Sequence, residues 1–287
     1  MIRALTLWAC LLVAVAAGAP SSSRIVSTSP SVTEVLFALG LGDRVVGVSS
    51  YCRYPAAAAA LPKVGTFLRP DAELIARLRP DLAVVSRSAT DVPRQLAVLG
   101  VRSISVNESR TIADVYETIR AVGRAAGAEA RADALVAAMQ TRLERIRRGA
   151  TSKRRVLVVV GRSPGTLADL VVVGRASFLS EVVEMSGGVN ALGDAMRLPP
   201  YPHISMETVI RLQPDVIVDA GDMGDTPDEH ARRQPITESL WRAHAEVAAA
   251  QRGNVHAVTS DAFVVPGPRI VEAAETLSRW IREAAAR

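Results

Sequence analysis

The side chains in this sequence that could perform catalysis have spacings that match no common catalytic or metal-binding motif. The four histidines are scattered, and glycine-rich phosphate loops, His-Glu-x-x-His pairs and Gly-x-Ser-x-Gly turns are absent from the sequence. Asp219, Asp222 and Asp225 imitate an acidic metal cluster but lack the terminal glutamate of a calcium loop, so a polar loop is predicted. We therefore expect a protein that is not an enzyme and that has no catalytic residue, resident cofactor or metal.

The cysteines also argue against covalent chemistry. Cys10 lies in an N-terminal segment that we expect to be removed, which leaves Cys52 without a disulfide partner in its own chain. No histidine lies near Cys52 in the sequence to activate it as a nucleophile. A buried structural thiol is predicted.

The loop aromatics suggest binding instead. Aromatic residues make up only 4% of the chain, and Tyr51, Phe67 and Tyr201 lie beside proline and polar residues in predicted loops. If these rings face one another across a cleft, they would hold a flat, apolar ligand from opposite sides. The alternative is that each ring belongs to the hydrophobic core of its own lobe.

Phe67 and Tyr201 begin two segments, 67–81 and 201–215, that share one pattern. Each has an aromatic residue, a glutamate six positions later (Glu73 and Glu207), an apolar helical run, a Pro-Asp pair and a buried strand. Asp71 and Ser205 are the predicted helix N-caps, and each glutamate lies in the first turn, where the helix dipole favours an anion. The spacing between the two copies is far longer than one solenoid unit, so the repeat excludes a solenoid. It predicts two similar α/β lobes instead.

Strands and helices alternate through both predicted lobes, which indicates parallel sheets with helices on both faces. Ligands of such sheets bind beyond the carboxyl ends of the strands, where Tyr51 and Ser86 lie. A late loop, 260–268, carries Phe263. Ser31 and Glu34 have the spacing of a capping box, so Glu34 is predicted to cap its own helix.

One long helix is predicted between the lobes. After glycines at 123 and 127 that mark a break, residues 128–148 carry an apolar stripe consisting of Leu135, Met139, Leu143 and Ile146. A flexible linker would be rich in glycine and serine, so this helix is expected to be rigid and the lobes to rock only slightly. The predicted divisions are a signal peptide at 1–19, an N-terminal lobe at 20–127, an interlobe helix at 128–150 and a C-terminal lobe at 151–287.

The N-terminal segment is typical of an export signal. Arg3 precedes an apolar run that is shorter than the roughly 20 residues a membrane span needs, and Ala17-Gly18-Ala19 fits a cleavage site. Trp8 makes the sequence around Cys10 a poor lipidation signal, so we expect an exported protein without a lipid anchor.

The basic charge does not indicate a nucleic-acid partner. The formal net charge is +5, but the basic clusters at 142–148 and 153–155 contain no aromatic residue. An arginine-rich solvated surface is predicted.

Taken as a whole, the chain resembles class III periplasmic substrate-binding proteins of ABC importers, the group that carries cobalamin, haem and ferric siderophores. The resemblance covers essentially the whole mature chain and rests on the segments 24–27 and 47–48, on L-P-K-V-G-T-F from Leu61, on both Pro-Asp strands and on S-D-A-F…P-G-P-R-I from Ser260. It implies two Rossmann-like α/β lobes with parallel central sheets joined by one long α-helix, the helical-backbone metal receptor type.

Within that group the chain is most similar to the vitamin B12-binding proteins, through S-Y-C-R-Y-P at 49–55 and the aromatic residue six positions before each repeated glutamate. The similarity implies that the protein binds a corrinoid as a monomer and delivers it to a membrane permease–ATPase complex. The implied ligand-binding residues are Tyr51, Phe67, Ser86, Tyr201 and Phe263. Glu73 and Glu207 would dock onto arginines of the permease.

Other interpretations stay open. Many vitamin B12-binding proteins have tryptophan where this chain has Phe67 and Tyr201, so haem or a ferric siderophore is the alternative ligand. Haem would need an axial ligand, for which Tyr51, Tyr201 and His203 are the candidates. An exported enzyme or chelatase built on the same two lobes is an alternative of another class.

Overall fold

The computed structural model describes residues 23–89, 91–150, 152–193, 198–222, 227–258 and 260–286. The predicted signal peptide with Cys10 lies outside these residues, as does Asp225. Within the described part of the chain, no helix combines the length and the apolar character that crossing a membrane requires.

The first lobe contains four strands and five helices. They are β1 (Ile25–Ser27), α1 (Pro30–Ala38), β2 (Val45–Val48), α2 (Ala56–Ala59), α3 (Ala72–Arg77), β3 (Leu82–Ser86), α4 (Val92–Val98), β4 (Ser103–Val106) and α5 (Ile112–Ala125). The strands form one parallel sheet in the order β2-β1-β3-β4, with β1 paired to β3 from Ile25–Leu82 to Ser27–Val84. This confirms the predicted parallel sheet.

The interlobe helix and the second lobe follow. Their elements are α6 (Glu129–Arg148), β5 (Arg154–Gly161), β6 (Leu170–Val172), α7 (Phe178–Met185), β7 (Gly188–Asn190), β8 (His203–Ile204), α8 (Met206–Leu212), β9 (Val216–Asp219), α9 (Pro227–Arg242), α10 (Ala248–Gln251), β10 (Val255–Ala257) and α11 (Ile270–Ala286). The sheet order is β10-β9-β5-β6-β8, with β7 also paired to β5. The centre of the sheet is parallel, and the two Rossmann-like lobes are therefore as predicted.

The second sheet differs from the prediction at one edge, where β6 and β8 run antiparallel to their neighbours. The connection from β5 to β6, residues 162–169, is short. A parallel crossover needs a dozen or more residues, so β6 must return antiparallel. This antiparallel edge later positions the Tyr201 loop.

From their N-caps onward, the repeated segments have similar backbones. Asp71 accepts hydrogen bonds from the first-turn N–H groups of α3, and Ser205 accepts one from the first turn of α8, which confirms both predicted N-caps. After these helices, Arg79 and Gln213 take the left-handed conformation, with φ of 47° and 45°. The two segments are therefore similar in backbone conformation as well as in sequence.

The long helix α6 forms as predicted, and its buried face is Ala132, Val136, Met139 and Leu143. The break before it lies at Gly127, where φ is 69°. Gly123, which we expected to mark the break, instead lies inside α5, where a Cβ would come 2.4 Å from the Ala132 Cβ. Its role is to let α5 and α6 pack closely.

The lobes share a hydrophobic core. The largest buried cluster includes Leu36 of α1, Met139 of α6 and Ile281 of α11, while two smaller clusters each belong to one lobe. The helix α6 contacts α5, α7 and α11. The two lobes are therefore joined by one continuous apolar surface, which α6 and its neighbours bury.

Candidate ligand-binding site

A cavity of about 500 Å³ opens between the two lobes, within the range of roughly 300–1,000 Å³ found for small-molecule pockets. The first lobe contributes residues after the carboxyl ends of all four of its strands, as parallel sheets favour. These residues are Ser29, Pro30, Ser31, Tyr51, Arg53, Ser86, Val106, Asn107, Glu108, Ser109 and Arg110, with Phe67 beside them. The second lobe contributes Ala176, Ser177, Phe178, Pro200, Tyr201, Asp261, Val264, Val265 and Pro266.

The three predicted loop aromatics meet at this cavity. Tyr51, Phe67 and Tyr201 line it, with exposed fractions of 48%, 36% and 42%, so they do not belong to the lobe interiors. The Tyr51 and Phe67 rings meet edge to face, with centroids 5.9 Å apart. Two rings from the first lobe and one from the second therefore border a single space.

A tight turn holds Phe67 in place. Gly65 has a φ of 93°, and a Cβ at this position would lie 2.6 Å from the Arg69 carbonyl oxygen. The Thr66 N–H donates to the same carbonyl at 3.2 Å. Only glycine fits this left-handed, crowded backbone, and the turn that results presents Phe67 at its tip.

The Tyr201 loop is held by the antiparallel edge of the second sheet. The N–H groups of Val172 and Gly174 donate to the carbonyls of Pro202 and Pro200, at 3.0 and 2.8 Å. A Cβ on Gly174 would lie 2.7 Å from the Pro199 carbonyl oxygen. Close backbone approach at Gly174 therefore determines where Tyr201 enters the cavity.

Of the two remaining predicted ligand-binding residues, Ser86 lines the cavity and Phe263 does not. Ser86 lies at the end of β3, lines the cavity, and its hydroxyl is 2.7 Å from that of Ser88. Phe263 is only 5% exposed, stacks on Trp280 at a centroid distance of 5.6 Å, and is not part of the cavity lining. A short 3-10 turn directs this ring into the core, and its neighbours Asp261 and Val264 line the cavity instead.

Two of the three candidate axial ligands for haem line the cavity. His203 is exposed on β8, pairs with Val171 and is not part of the cavity lining. Tyr51 and Tyr201 remain at the cavity. The pKa of the Tyr201 hydroxyl is raised above its ordinary value, because the cavity wall partly buries it and because Glu108 adds a nearby negative charge. Both effects keep the phenol protonated.

The sequence did not single out the loop after β4, which brings Glu108 and Arg110 to the cavity. It also missed Arg53 and Asp261, which lie two residues from the aromatics that drew attention. The position of these residues beyond strand ends was the available signal. They add charged groups to a wall that is otherwise largely apolar.

Glu34 does not form the predicted capping box. The helix α1 starts at Pro30 with Ser29 as its N-cap, so Glu34 lies beyond the first turn. Its carboxylate is 3% exposed and accepts hydrogen bonds from Arg269 of the second lobe, from Nε at 3.1 Å and also from Nη2. Pro30 occupies the first helical position, so the helix starts two residues earlier than a capping box at Ser31 would require.

The two repeated glutamates lie away from the cavity lining. Glu73 and Glu207 are exposed in the first turns of α3 and α8. Glu73 approaches Arg77 at 3.8 Å, with both side chains solvated. Such an exposed pair contributes little to stability, so Glu73 can exchange this partner for another.

The described residues contain no group of three or more His, Cys, Asp or Glu side chains that could hold a metal ion. Asp219, expected in a polar loop, is buried at the end of β9, where Arg162 Nε and Trp241 Nε1 donate to it at 3.0 and 2.7 Å. Asp222 pairs with Arg233 at 2.6 Å. These aspartates therefore hold the second lobe together.

Cys52 is buried, as predicted for a structural thiol. Its Sγ lies 3.1 Å from the Thr33 hydroxyl and 3.2 Å from that of Ser49. Burial raises the pKa of the thiol. The protonated form is a poor nucleophile.

Comparison with known proteins places this fold. Residues 25–262 match the model of the family described as periplasmic binding protein. The chain is 30% identical over 266 residues to the vitamin B12-binding protein of Vibrio cholerae serotype O1, across 91% of this chain and 90% of that protein. It is also 30% identical over 267 residues to YvrC of Bacillus subtilis, named as an ABC transporter substrate-binding lipoprotein, across 90% of this chain and 79% of that protein.

A solved structure agrees with these relatives. The apo periplasmic haem-binding protein RhuT from Roseiflexus sp. RS-1 superposes with a TM-score of 0.78 and 28% identity, over 92% of this chain and all of that one. The matched family model spans both sheets described above. The relatives are binding proteins that act outside the cytoplasm, and this chain belongs to the same periplasmic binding protein family.

Proposed function

We propose that this protein is the extracytoplasmic solute-binding component of an ABC importer and that its cavity binds cobalamin or a related corrinoid. The observation that carries the proposal is the convergence of Tyr51, Phe67 and Tyr201, from both lobes, on one cavity. Aromatic faces and edges suit a flat macrocycle, because they add specific geometry to the burial of apolar area. The similarity to a vitamin B12-binding protein supports the same ligand.

Haem is the second candidate, supported by the similarity to a haem-binding protein of known structure. Haem iron needs an axial ligand, and Tyr51 and Tyr201 are the tyrosines at the cavity. A corrinoid brings its own metal coordination and does not need either tyrosine as a ligand.

The ligand test is calorimetry and absorption spectroscopy on the purified mature protein. We expect cyanocobalamin to bind one to one with a Kd of about 1 μM or lower, roughly 8 kcal/mol. Phe67→Ala and Tyr201→Ala should each weaken binding by about tenfold or more, because each removes one ring from the wall. Leu68→Ala is the matched control, since Leu68 is exposed beside Phe67 and not part of the cavity lining.

A different result would change the ligand. If calorimetry shows no heat with cyanocobalamin and hemin gives a shifted Soret band, the ligand is haem and not a corrinoid. Release of a chemically altered corrinoid would favour an enzyme or chelatase over a receptor. Ligand recovered unchanged supports a binding protein without catalysis.

We further propose that the protein works as a monomer in the periplasm after cleavage of its signal peptide, and that Glu73 and Glu207 dock it onto a permease–ATPase complex. Exposure of both glutamates at equivalent places in the two lobes supports this docking. Because the Bacillus subtilis relative is a lipoprotein, the absence of a lipid anchor needs its own check. Mass spectrometry of the exported protein would reveal a lipidated Cys10.

A further inference from the structure

Two carboxylates join the lobes next to the cavity. Glu34, on α1 of the first lobe, accepts hydrogen bonds from Arg269, which directly precedes α11 of the second lobe. Glu181, on α7 of the second lobe, accepts a hydrogen bond of 2.8 Å from the N–H of Ile112, the first residue of α5 in the first lobe. Each carboxylate therefore reaches the start of a helix in the opposite lobe.

The two contacts are counterparts in sequence as well as in space. Residues 34–40 read E-V-L-F-A-L-G and residues 181–187 read E-V-V-E-M-S-G. Both segments end in a glycine with positive φ, 67° at Gly40 and 93° at Gly187. We call the contacts of Glu34 with Arg269 and of Glu181 with Ile112 the two interlobe ties. The first residues of α1 and α7 line the cavity, so each tie belongs to a helix that also forms the cavity wall.

Several groups enclose the contact between Arg269 and Glu34. Arg269 is 7% exposed, and its Nη2 donates both to Glu34 and to Asp261, the latter at 2.6 Å. The ring of Tyr54 covers the guanidinium at 3.7 Å from its centroid. The backbone of Gly267 lies so close that a Cβ there would be 2.9 Å from Glu34 Oε2.

Arg269 also reaches the cavity through its partners. Asp261 is part of the cavity lining, and Tyr54 belongs to the loop that carries Tyr51. One guanidinium thus contacts a carboxylate of the first lobe, a cavity residue of the second lobe and the loop of a cavity aromatic. Movement of either lobe would have to break these contacts together.

We propose that Glu34, Glu181 and Arg269 are positioning residues that set the separation of the lobes, and with it the gap between the Tyr51–Phe67 wall and Tyr201. The proposal rests on the proposed function only for the identity of the ligand. The width of the gap then selects a flat ligand by its thickness. With both ties made, the lobes of the free protein already hold the width that the ligand needs, which lowers the cost of ordering on binding.

The test compares Glu34→Gln, Glu181→Gln and the double variant with wild type. Glutamine keeps the shape of glutamate and removes its charge, so packing is conserved. Glu275→Gln is the matched control, because Glu275 pairs with Arg142 of α6 on the exposed surface at 2.8 Å. Spin labels on Val98→Cys and Ile236→Cys, both at exposed positions in opposite lobes, report the interlobe distance by pulsed electron resonance without ligand. Cys52 is buried and is not expected to react with the label.

We expect the double variant to show a longer or broader interlobe distance and an affinity for cyanocobalamin lower by about tenfold. Glu275→Gln should change neither. Should the double variant fail to fold by circular dichroism, Glu181→Gln alone carries the test, since it weakens a single hydrogen bond to a backbone N–H. Arg269→Lys should widen the distance in the same direction, because an ammonium group lacks the planar fork that bridges Glu34 and Asp261.

Unchanged distances in folded variants would overturn the proposal, even if affinity fell. Changed distances in a protein that does not bind cyanocobalamin would support the ties and refute only the corrinoid. The two failures are therefore distinguishable.

Discussion

Glu34 combines burial with a strong ion pair. Burial raises the pKa of its carboxyl group to about 7, in opposition to the hydrogen bonds and charge of Arg269, while Asp261 and Glu272 add to the rise. In the unfolded chain the same group titrates near 4.5. Between these values the folded protein holds more proton than the unfolded one, so this residue makes stability fall as pH rises.

The corresponding prediction concerns Glu34→Gln, which removes this titration. From about pH 4.5 to about pH 7, the free energy of unfolding of wild type should decline more steeply with pH than that of the variant. Urea unfolding at several pH values measures both slopes. Glu275→Gln, at an exposed pair, should follow wild type. Parallel curves for wild type and Glu34→Gln would contradict the raised pKa.

At the scale of elements, the cavity aromatics depend on backbone turns rather than on side-chain packing. The Phe67 turn needs a left-handed glycine at Gly65, and the Tyr201 loop needs close backbone approach at Gly174. The antiparallel return of β6 creates the second of these contacts. Short connections in the chain thus determine where the rings lie.

We therefore expect Gly174→Ala to displace the Tyr201 loop. The added Cβ would meet the Pro199 carbonyl, which should cost roughly 1–3 kcal/mol of stability and weaken ligand binding. Urea unfolding and calorimetry measure the two effects. Gly149→Ala is the control, because its Cβ would meet only ordinary contacts at 3.5 Å or more. Wild-type affinity in Gly174→Ala would show that this approach does not position Tyr201.

At the scale of the whole molecule, the lobes are joined by α6, by a shared core and by two carboxylate ties. This arrangement favours small rocking of the lobes over wide closure. Delivery would then depend on the outer surface of each lobe, where Glu73 and Glu207 are exposed. The cavity and the two glutamates with a proposed docking role are consequently separable by mutation.

The double variant Glu73→Ala with Glu207→Ala tests this separation. Ligand affinity should stay within about twofold of wild type, because neither residue lines the cavity, whereas uptake by cells should be lost. Calorimetry and a transport assay give the two results. Glu117→Ala with Glu283→Ala removes two other exposed glutamates, one from each lobe, and should transport normally. Normal uptake by the Glu73/Glu207 variant would remove their docking role.

Much of the fold could be predicted from the sequence because its signals are local. Helix N-caps at Asp71 and Ser205, the strand after each Pro-Asp pair and the stripe of α6 depend on residues within a few positions of one another. Rings next to proline and glycine turns were likewise predictable as loop residues. The repeat then implied two similar lobes.

Tertiary structure decided what joins the lobes. Glu34 meets Arg269 across 235 positions of sequence, and no local pattern distinguishes such a carboxylate from a helix cap. Phe263 points into the core because its ring stacks on Trp280, while Asp261, two residues earlier, lines the cavity. Backbone conformation follows from short-range sterics and hydrogen bonds, whereas contacts between distant elements exist only once those elements have packed.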